Sequence, residues 1–229
     1  MLKLDEYRVA YGQSEVLHGL DLTVGDAEIV AVLGRNGMGK STLMKSLIGM
    51  LPTASGTAEL DGTRLERMPS HRRVQAGLGY VPQGRMIFPA LTVAENLRTG
   101  LVSTGGGALP GDIHELFPVL EQMRDRRGGN LSGGQQQQLA IGRALATDPS
   151  VLLLDEPTEG IQPSIIKELA QVLRRIRDTR RLAIVVSEQV LSFALDVADR
   201  VLVLENGRIV HEALRADIDE ARIASLLSV

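Results

Sequence analysis

The chain has 229 residues, of which 44 % are hydrophobic and 23 % charged, a balance that suits one large globular domain with a buried core. A formal net charge of -3 without a long basic block speaks against nucleic acid as a partner, and the lack of cysteine excludes disulfides and cysteine metal sites. MLKLDEYRVA carries no signal-peptide run, and no stretch approaches the ~20 apolar residues of a membrane helix, so the expectation is a soluble protein that acts at a membrane only through partners.

Short runs of Val, Ile and Leu alternate with segments of helical period, the pattern of an α/β sheet with crossover helices. Glu28–Leu33 reads as a buried strand and Lys40–Ile48 as the helix after it. Between them Gly34-Arg35-Asn36-Gly37-Met38-Gly39-Lys40-Ser41 matches the GxxxxGK[ST] phosphate loop. Its glycines let the backbone turn tightly and aim N–H groups at phosphate oxygens, and the helix adds its positive dipole end. Lys40 is placed to reach β- and γ-phosphates and Ser41 to ligate Mg²⁺; Gly34, Asn36, Gly37, Gly39 and Thr42 belong to the same phosphate site. A glycine-rich strand-to-helix turn needs no ligand, but the position between strand and helix is the one a phosphate cradle requires.

Leu78–Val81 is a further strand, and Gln83 follows it in Tyr80-Val81-Pro82-Gln83. From Arg85 to Thr147 helical stretches are broken by turns, chiefly Gly105-Gly106-Gly107 and Pro110-Gly111, which suggests a helical lobe set into the α/β core. Within it Leu131-Ser132-Gly133-Gly134-Gln135 precedes the helical segment Gln136–Thr147, and Ser132 with Gln135 forms a capping box. Val151–Leu154 reads as a buried strand that delivers Asp155 and Glu156 at its C-terminal end, where parallel sheets place ligands. Asp155 is the metal carboxylate that a phosphate loop requires, and Glu156 the general base for water. A helix over Pro163–Arg177, strands at Leu182–Ser187 and Val201–Leu204, an Asn206-Gly207 hairpin turn and an amphipathic helix within Asp217–Val229 complete the chain. His18, His71, His114 and His211 lack metal-ligand spacing.

LSGGQ, about 90 residues after the phosphate loop and shortly before the acidic strand, resembles the signature of ABC ATPases, and the other motifs fall in that family's order over essentially the whole chain. The resemblance implies a P-loop NTPase core with an antiparallel β edge and an inserted helical subdomain, 85–147, all within one domain of residues 1–229. It implies ATP and Mg²⁺ as cofactors, with Ser41, Gln83 and Asp155 about the metal. By the same likeness Tyr11 stacks on adenine, while Ser132, Gly134 and Gln135 cap the γ-phosphate of ATP held by an opposite subunit. Implied partners are two membrane permease subunits, a second ATP-binding subunit (the same chain or another) and an external solute-binding protein. The expected location is the cytoplasmic side of the inner membrane, attached through the permease.

Two positions depart from the commonest family pattern. Gln189, in Ser187-Glu188-Gln189, stands where many members have a histidine, and the resemblance makes it a neutral γ-phosphate sensor. Gln162 replaces an aspartate in the loop after the acidic strand. Both departures resemble the uptake branch for branched-chain amino acids and amides. The stretches around Gln83 and over Thr158–Ile166 resemble the ATP-binding subunits of urea uptake systems. A branched-chain amino-acid importer and a non-transport ABC ATPase are the alternatives. Arg85–Pro89 is the candidate permease contact loop, with Met86, Ile87 and Phe88 either exposed or packed within the lobe.

Overall fold

The computed structural model describes residues 1–228, the side chains of Thr104 and Ser228 apart. In chain order the strands are β1 (Leu2–Tyr11), β2 (Ser14–Val24), β3 (Ile29–Leu33), β4 (Thr53–Leu60), β5 (Thr63–Arg64), β6 (Leu78–Val81), β7 (Val151–Asp155), β8 (Ala183–Glu188), β9 (Arg200–Glu205) and β10 (Arg208–Leu214). The helices are α1 (Lys40–Leu47), α2 (Ser70–Gln75), α3 (Val93–Leu101), α4 (Asp112–Leu116), α5 (Pro118–Gln122), α6 (Gly133–Leu145), α7 (Pro163–Arg180), α8 (Leu191–Val197) and α9 (Glu220–Ser228).

A six-stranded sheet in the order β10-β9-β3-β8-β7-β6 carries the core; its strands from β9 to β6 run parallel and β10 closes the edge antiparallel. Every residue of β3 and β7 is buried, as expected of parallel strands covered on both faces. Alternate residues serve different cores. Leu152 and Leu154 of β7, with Ile184 and Val186 of β8, pack towards α3, α5 and α6. Val151, Leu153, Ala183 and Val185 pack towards α1 and the second sheet. That period of two makes one strand the wall of two hydrophobic cores at once.

The second sheet is antiparallel, in the order β2-β1-β4-β5. It realises the antiparallel edge implied by the resemblance, although residue pattern marks none of its strands. Leu2, Leu4, Tyr7 and Val9 are buried, so the alternation slips between Leu4 and Tyr7. A bulge there puts Glu6 at φ 45°. Opposite it, a Cβ on Gly56 would sit 2.2 Å from the Glu6 carbonyl oxygen, so this close backbone approach requires glycine.

Between β6 and β7 the chain forms α3 to α6 and no named strand. Asp112 at the start of α4 ties this stretch to the core: Arg180, at the end of α7, donates to both its carboxylate oxygens at 2.6 Å. The expected helix from Pro163 runs one turn further than Arg177, to Arg180. The C-terminal helix spans Glu220–Ser228, with Ile223 buried; Val229, the last residue of its expected range, lies outside the described residues.

Candidate functional site

Four neighbouring parallel strands, β3, β8, β7 and β6, end at one edge of the large sheet, and each delivers one part of the site. The phosphate loop follows β3, Asp155 and Glu156 close β7, Gln189 follows β8, and Gln83 follows β6. This is the carboxyl edge where open α/β sheets bind ligands.

Loop geometry explains the glycines. Gly39 takes φ 107°, and a Cβ there would meet the Leu17 side chain at 2.8 Å. Asn36 and Gly37 are exposed, while Gly34, Gly39 and Lys40 are buried. Thr42, in the first turn of α1, is buried beside them. The Lys40 ammonium, with the side chain only 3 % exposed, donates to the carbonyls of Gly34 at 2.8 Å and Arg35 at 3.0 Å. It also lies 3.3 Å from Glu156 Oε1. A buried cation is thus held by neutral acceptors and one carboxylate, a geometry that suits exchange for phosphate oxygens.

Glu156 is the centre of the cluster. It sits at φ 47°, a left-handed conformation that costs a non-glycine residue on the order of 1–3 kcal/mol. Its backbone N–H donates to Ser187 O at 3.0 Å, which keeps the turn in place. Gln83 donates its amide to Oε2 at 3.3 Å, and Gln189 donates to Oε1 at 3.0 Å. Two neutral amides, from the loops after β6 and β8, therefore orient one carboxylate.

Asp155 is almost fully buried, with Oδ1 accepting from Ser187 Oγ at 2.5 Å and Ser41 Oγ at 3.1 Å. Its Oδ2 is buried without a hydrogen-bond partner. Burial pushes the Asp155 carboxyl above the usual carboxylate range, the nearby Glu156 charge pushes the same way, and the two serine hydroxyls oppose it. Burial also raises the Tyr80 phenol, with the Asp155 charge as the next cause.

Hydrogen bonds join Ser41 to Asp155 and Gln83 and Gln189 to Glu156, Ser187 links the two acids, and Lys40 joins the group through its ion pair with Glu156. Tyr11 stands apart at the end of β1, 49 % exposed. Ser132, Gly134 and Gln135 also stand apart, at the N-terminus of α6. Ser132 N–H donates to Gln135 Oε1 at 2.9 Å, and Gln135 N–H to Ser132 Oγ at 3.4 Å, so the capping box forms. Gly134 lets α6 lie against α7, because a Cβ there would be 2.6 Å from Ile165 Cγ2. In the Arg85–Pro89 loop the apolar residues divide: Met86 is 66 % and Phe88 48 % exposed, while Ile87 packs against the core.

Residue pattern marks no role for Ser187 or Glu188, and for Arg85 only a place in the candidate contact loop. Ser187 binds Asp155; Glu188, buried at the end of β8, accepts from Thr158; and Arg85 Nη2 donates to Glu159 O at 2.6 Å. A serine and a glutamate closing an otherwise apolar strand are a signal of polar work at its end, and it was available in Ala183–Glu188.

Comparison with known proteins gives a consistent family. The ABC transporter family model matches residues 17–159, more than half of the chain. The high-affinity branched-chain amino acid transport ATP-binding protein BraG of Pseudomonas aeruginosa is 41 % identical, over 92 % of this chain and 91 % of its own. The probable branched-chain amino acid transport ATP-binding protein LivF of Archaeoglobus fulgidus is 34 % identical, over 91 % and 90 %. Among solved structures, the dimeric post-hydrolysis state of the ATP-binding cassette MJ0796 bound to ADP and Pi is similar with a TM-score of 0.83 at 25 % identity, over 94 % of this chain and 99 % of that one.

Proposed function

Since the chain belongs to the ABC transporter family, whose cassettes bind and hydrolyse ATP to power transport, we propose that it is the motor subunit of an uptake system in the branch for branched-chain amino acids and amides. The observation that carries the reading is the Glu156 carboxylate after β7, held by Gln83 and Gln189 and paired with Lys40 of the phosphate loop. Residues 1–229 act as one domain, with 85–147 as its signature-bearing helical lobe.

The residues fit Mg²⁺. Asp155 offers a buried oxygen without a partner, and the Ser41 hydroxyl lies beside its other oxygen, an all-oxygen anionic set of the kind a hard cation takes. Ser41 and Asp155 would hold the ion, with Gln83 as a further ligand. When bound, Mg²⁺ neutralises charge on the β- and γ-phosphate oxygens. The chain's own groups do the rest. Lys40 exchanges its contact with Glu156 for phosphate oxygens. Glu156 accepts a proton from the attacking water as the water oxygen bonds to the γ-phosphorus and the bond from that phosphorus to ADP breaks, giving ADP and phosphate. Gln189 serves as the neutral sensor of the γ-phosphate, and the exposed Tyr11 stacks on adenine.

Ser132, Gly134 and Gln135 of a second ATP-binding subunit, the same chain or a relative, complete each nucleotide pocket. The helix N-terminus of α6 gives them N–H groups and a positive dipole end for that purpose. Among the described residues no helix is long and apolar enough to cross a membrane. Two permease subunits supply the membrane path, the exposed Met86 and Phe88 dock there, and an external protein delivers the solute. The motor works on the cytoplasmic face of the inner membrane.

The wording around Gln83 and over Thr158–Ile166 supports urea or a short amide as solute. Relatedness to BraG and LivF favours a second reading, a branched-chain amino acid. Uptake of labelled urea and labelled leucine in cells with and without the chain decides between them. Loss of urea uptake, restored by wild type and not by Lys40→Ala, supports the first reading. Loss of leucine uptake with urea unchanged supports the second. No change in either overturns both.

A further inference from the structure

We propose that Glu188 is a positioning residue for hydrolysis: it fastens Gln189 to the loop after the acidic strand and thereby sets where the Gln189 amide meets Glu156. The inference rests on the reading of Glu156 as the base.

Glu188 is the last residue of β8 and only 2 % exposed. Both its oxygens are fully used. Oε1 accepts from Thr158 Oγ1 at 2.6 Å and from Thr158 N at 3.1 Å; Oε2 accepts from the backbone N–H groups of Gln189 at 2.8 Å and Val190 at 3.1 Å. All four donors are neutral, so the carboxylate works as a double clamp between two loops. Thr158, 5 % exposed, is the buried root of a loop whose Glu159, Gly160 and Gln162 are exposed. On the far side that loop is held by Arg85, two residues beyond Gln83, through Glu159 O.

The contacts therefore close on themselves. Gln83 and Gln189 hold the two oxygens of Glu156, Glu188 joins Gln189 to Thr158, and Arg85 joins the next residue, Glu159, to the stretch that carries Gln83. Glu188 is the member that turns backbone position at 158 into backbone position at 189. A neutral amide in its place keeps the size but presents an NH₂ group to at least one N–H donor, so the clamp opens on one side. The base itself is untouched.

The test measures ATPase kinetics and thermal unfolding of the full chain for Glu156→Gln, Gln189→Ala, Glu188→Gln, Thr158→Val, Thr158→Ser and the double variant Glu188→Gln/Gln189→Ala. Glu156→Gln is read first: if it keeps wild-type turnover, the reading of the base has failed, whatever Glu188 does. With the base established, Glu188→Gln and Thr158→Val are expected to lower kcat roughly tenfold, the size of one lost hydrogen bond to a charged group. KM for ATP stays within about twofold, because the phosphate contacts are unchanged. Thr158→Ser, which keeps the hydroxyl, retains kcat. In the Gln189→Ala background Glu188→Gln adds no further loss, since it acts through Gln189. The proposal is overturned if Gln189→Ala leaves kcat unchanged, if the double variant shows the product of the two single losses, or if kcat tracks only the fall in unfolding temperature.

Discussion

The phosphate loop and the signature segment are both helix N-termini opened by glycines, and both offer orphan N–H groups and a positive dipole end. At α1 the surrounding chain gathers the Lys40 ammonium, the Ser41 hydroxyl, and Asp155 and Glu156 into one cluster of hydrogen bonds and an ion pair. At α6 the chain supplies only a cap, with Ser132 and Gln135 bound to each other and Ser132 exposed. The two ends are built from the same backbone physics, and the difference lies in which tertiary neighbours face them. On the reading proposed above, the first end, with acids and a lysine folded over it, is a site in its own right, and the second, merely capped and exposed, becomes one when another chain brings the ligand.

The strongest way to break this contrast is Glu156→Gln. Hydrolysis should fall by at least ~100-fold, the range of a lost general base, while ATP binding persists. Size-exclusion chromatography with ATP should then show a paired species, as the second helix end is filled from outside. Retained turnover would remove the base from the self-complete site.

Ser132→Ala sharpens the other half. Loss of an N-cap hydroxyl costs roughly 1 kcal/mol of stability, a modest shift in thermal unfolding. If α6 also caps ATP on a partner, steady-state hydrolysis should fall about tenfold or more, the effect of one lost charge-assisted contact. A drop in activity no larger than the loss of stability would reduce Ser132 to a cap.

Gly134→Ala tests the packing that presents this helix. The added methyl would lie 2.6 Å from Ile165 Cγ2, so the variant should lose about 1–3 kcal/mol and unfold at a lower temperature. Combining it with Ile165→Ala should restore part of the loss if that contact is the cause.

The smallest effect concerns the tether between the helical stretch and the core. Arg180 beside Asp112 holds its carboxyl below the ordinary 3.8, so the folded state binds fewer protons there than the unfolded state. Stability from the pair is therefore complete above that ordinary value and is lost as pH falls through the depressed folded one. Asp112→Asn should cost about 1 kcal/mol at neutral pH, as expected for a partly exposed pair, and flatten the stability profile below pH ~4. An identical acid profile in both proteins would show that the tether contributes nothing.

Much of the core was legible because a parallel strand buried on both faces is a plain apolar run. Val151–Leu154 and Leu182–Ser187 stand within a residue of β7 and β8, and the phosphate loop lies where its spacing placed it. The antiparallel sheet was not, because the bulge at Asp5–Glu6 slips the alternation of Leu2, Leu4, Tyr7 and Val9 by one residue. By the family resemblance Gln83 and Gln189 are candidate ligand contacts, and the fold adds that both amides grip Glu156. Glu188 stayed hidden inside Ser187-Glu188-Gln189 because its partner, Thr158, is 30 positions away.

The sequence by itself determined the chemistry of each strand or helix end: glycines with Lys40 and Ser41, two acids after an apolar run, amides at 83 and 189, a capping box at 132. These are local matters, settled by backbone freedom, dipole and side-chain type within a few residues. Tertiary structure alone decided which ends share a centre. The strand order β3-β8-β7-β6 interleaves distant segments and brings four loops to one edge, while α6, in the helical stretch between β6 and β7, is left outside. Contact across such separations depends on sheet order and packing, which no local pattern of residues encodes.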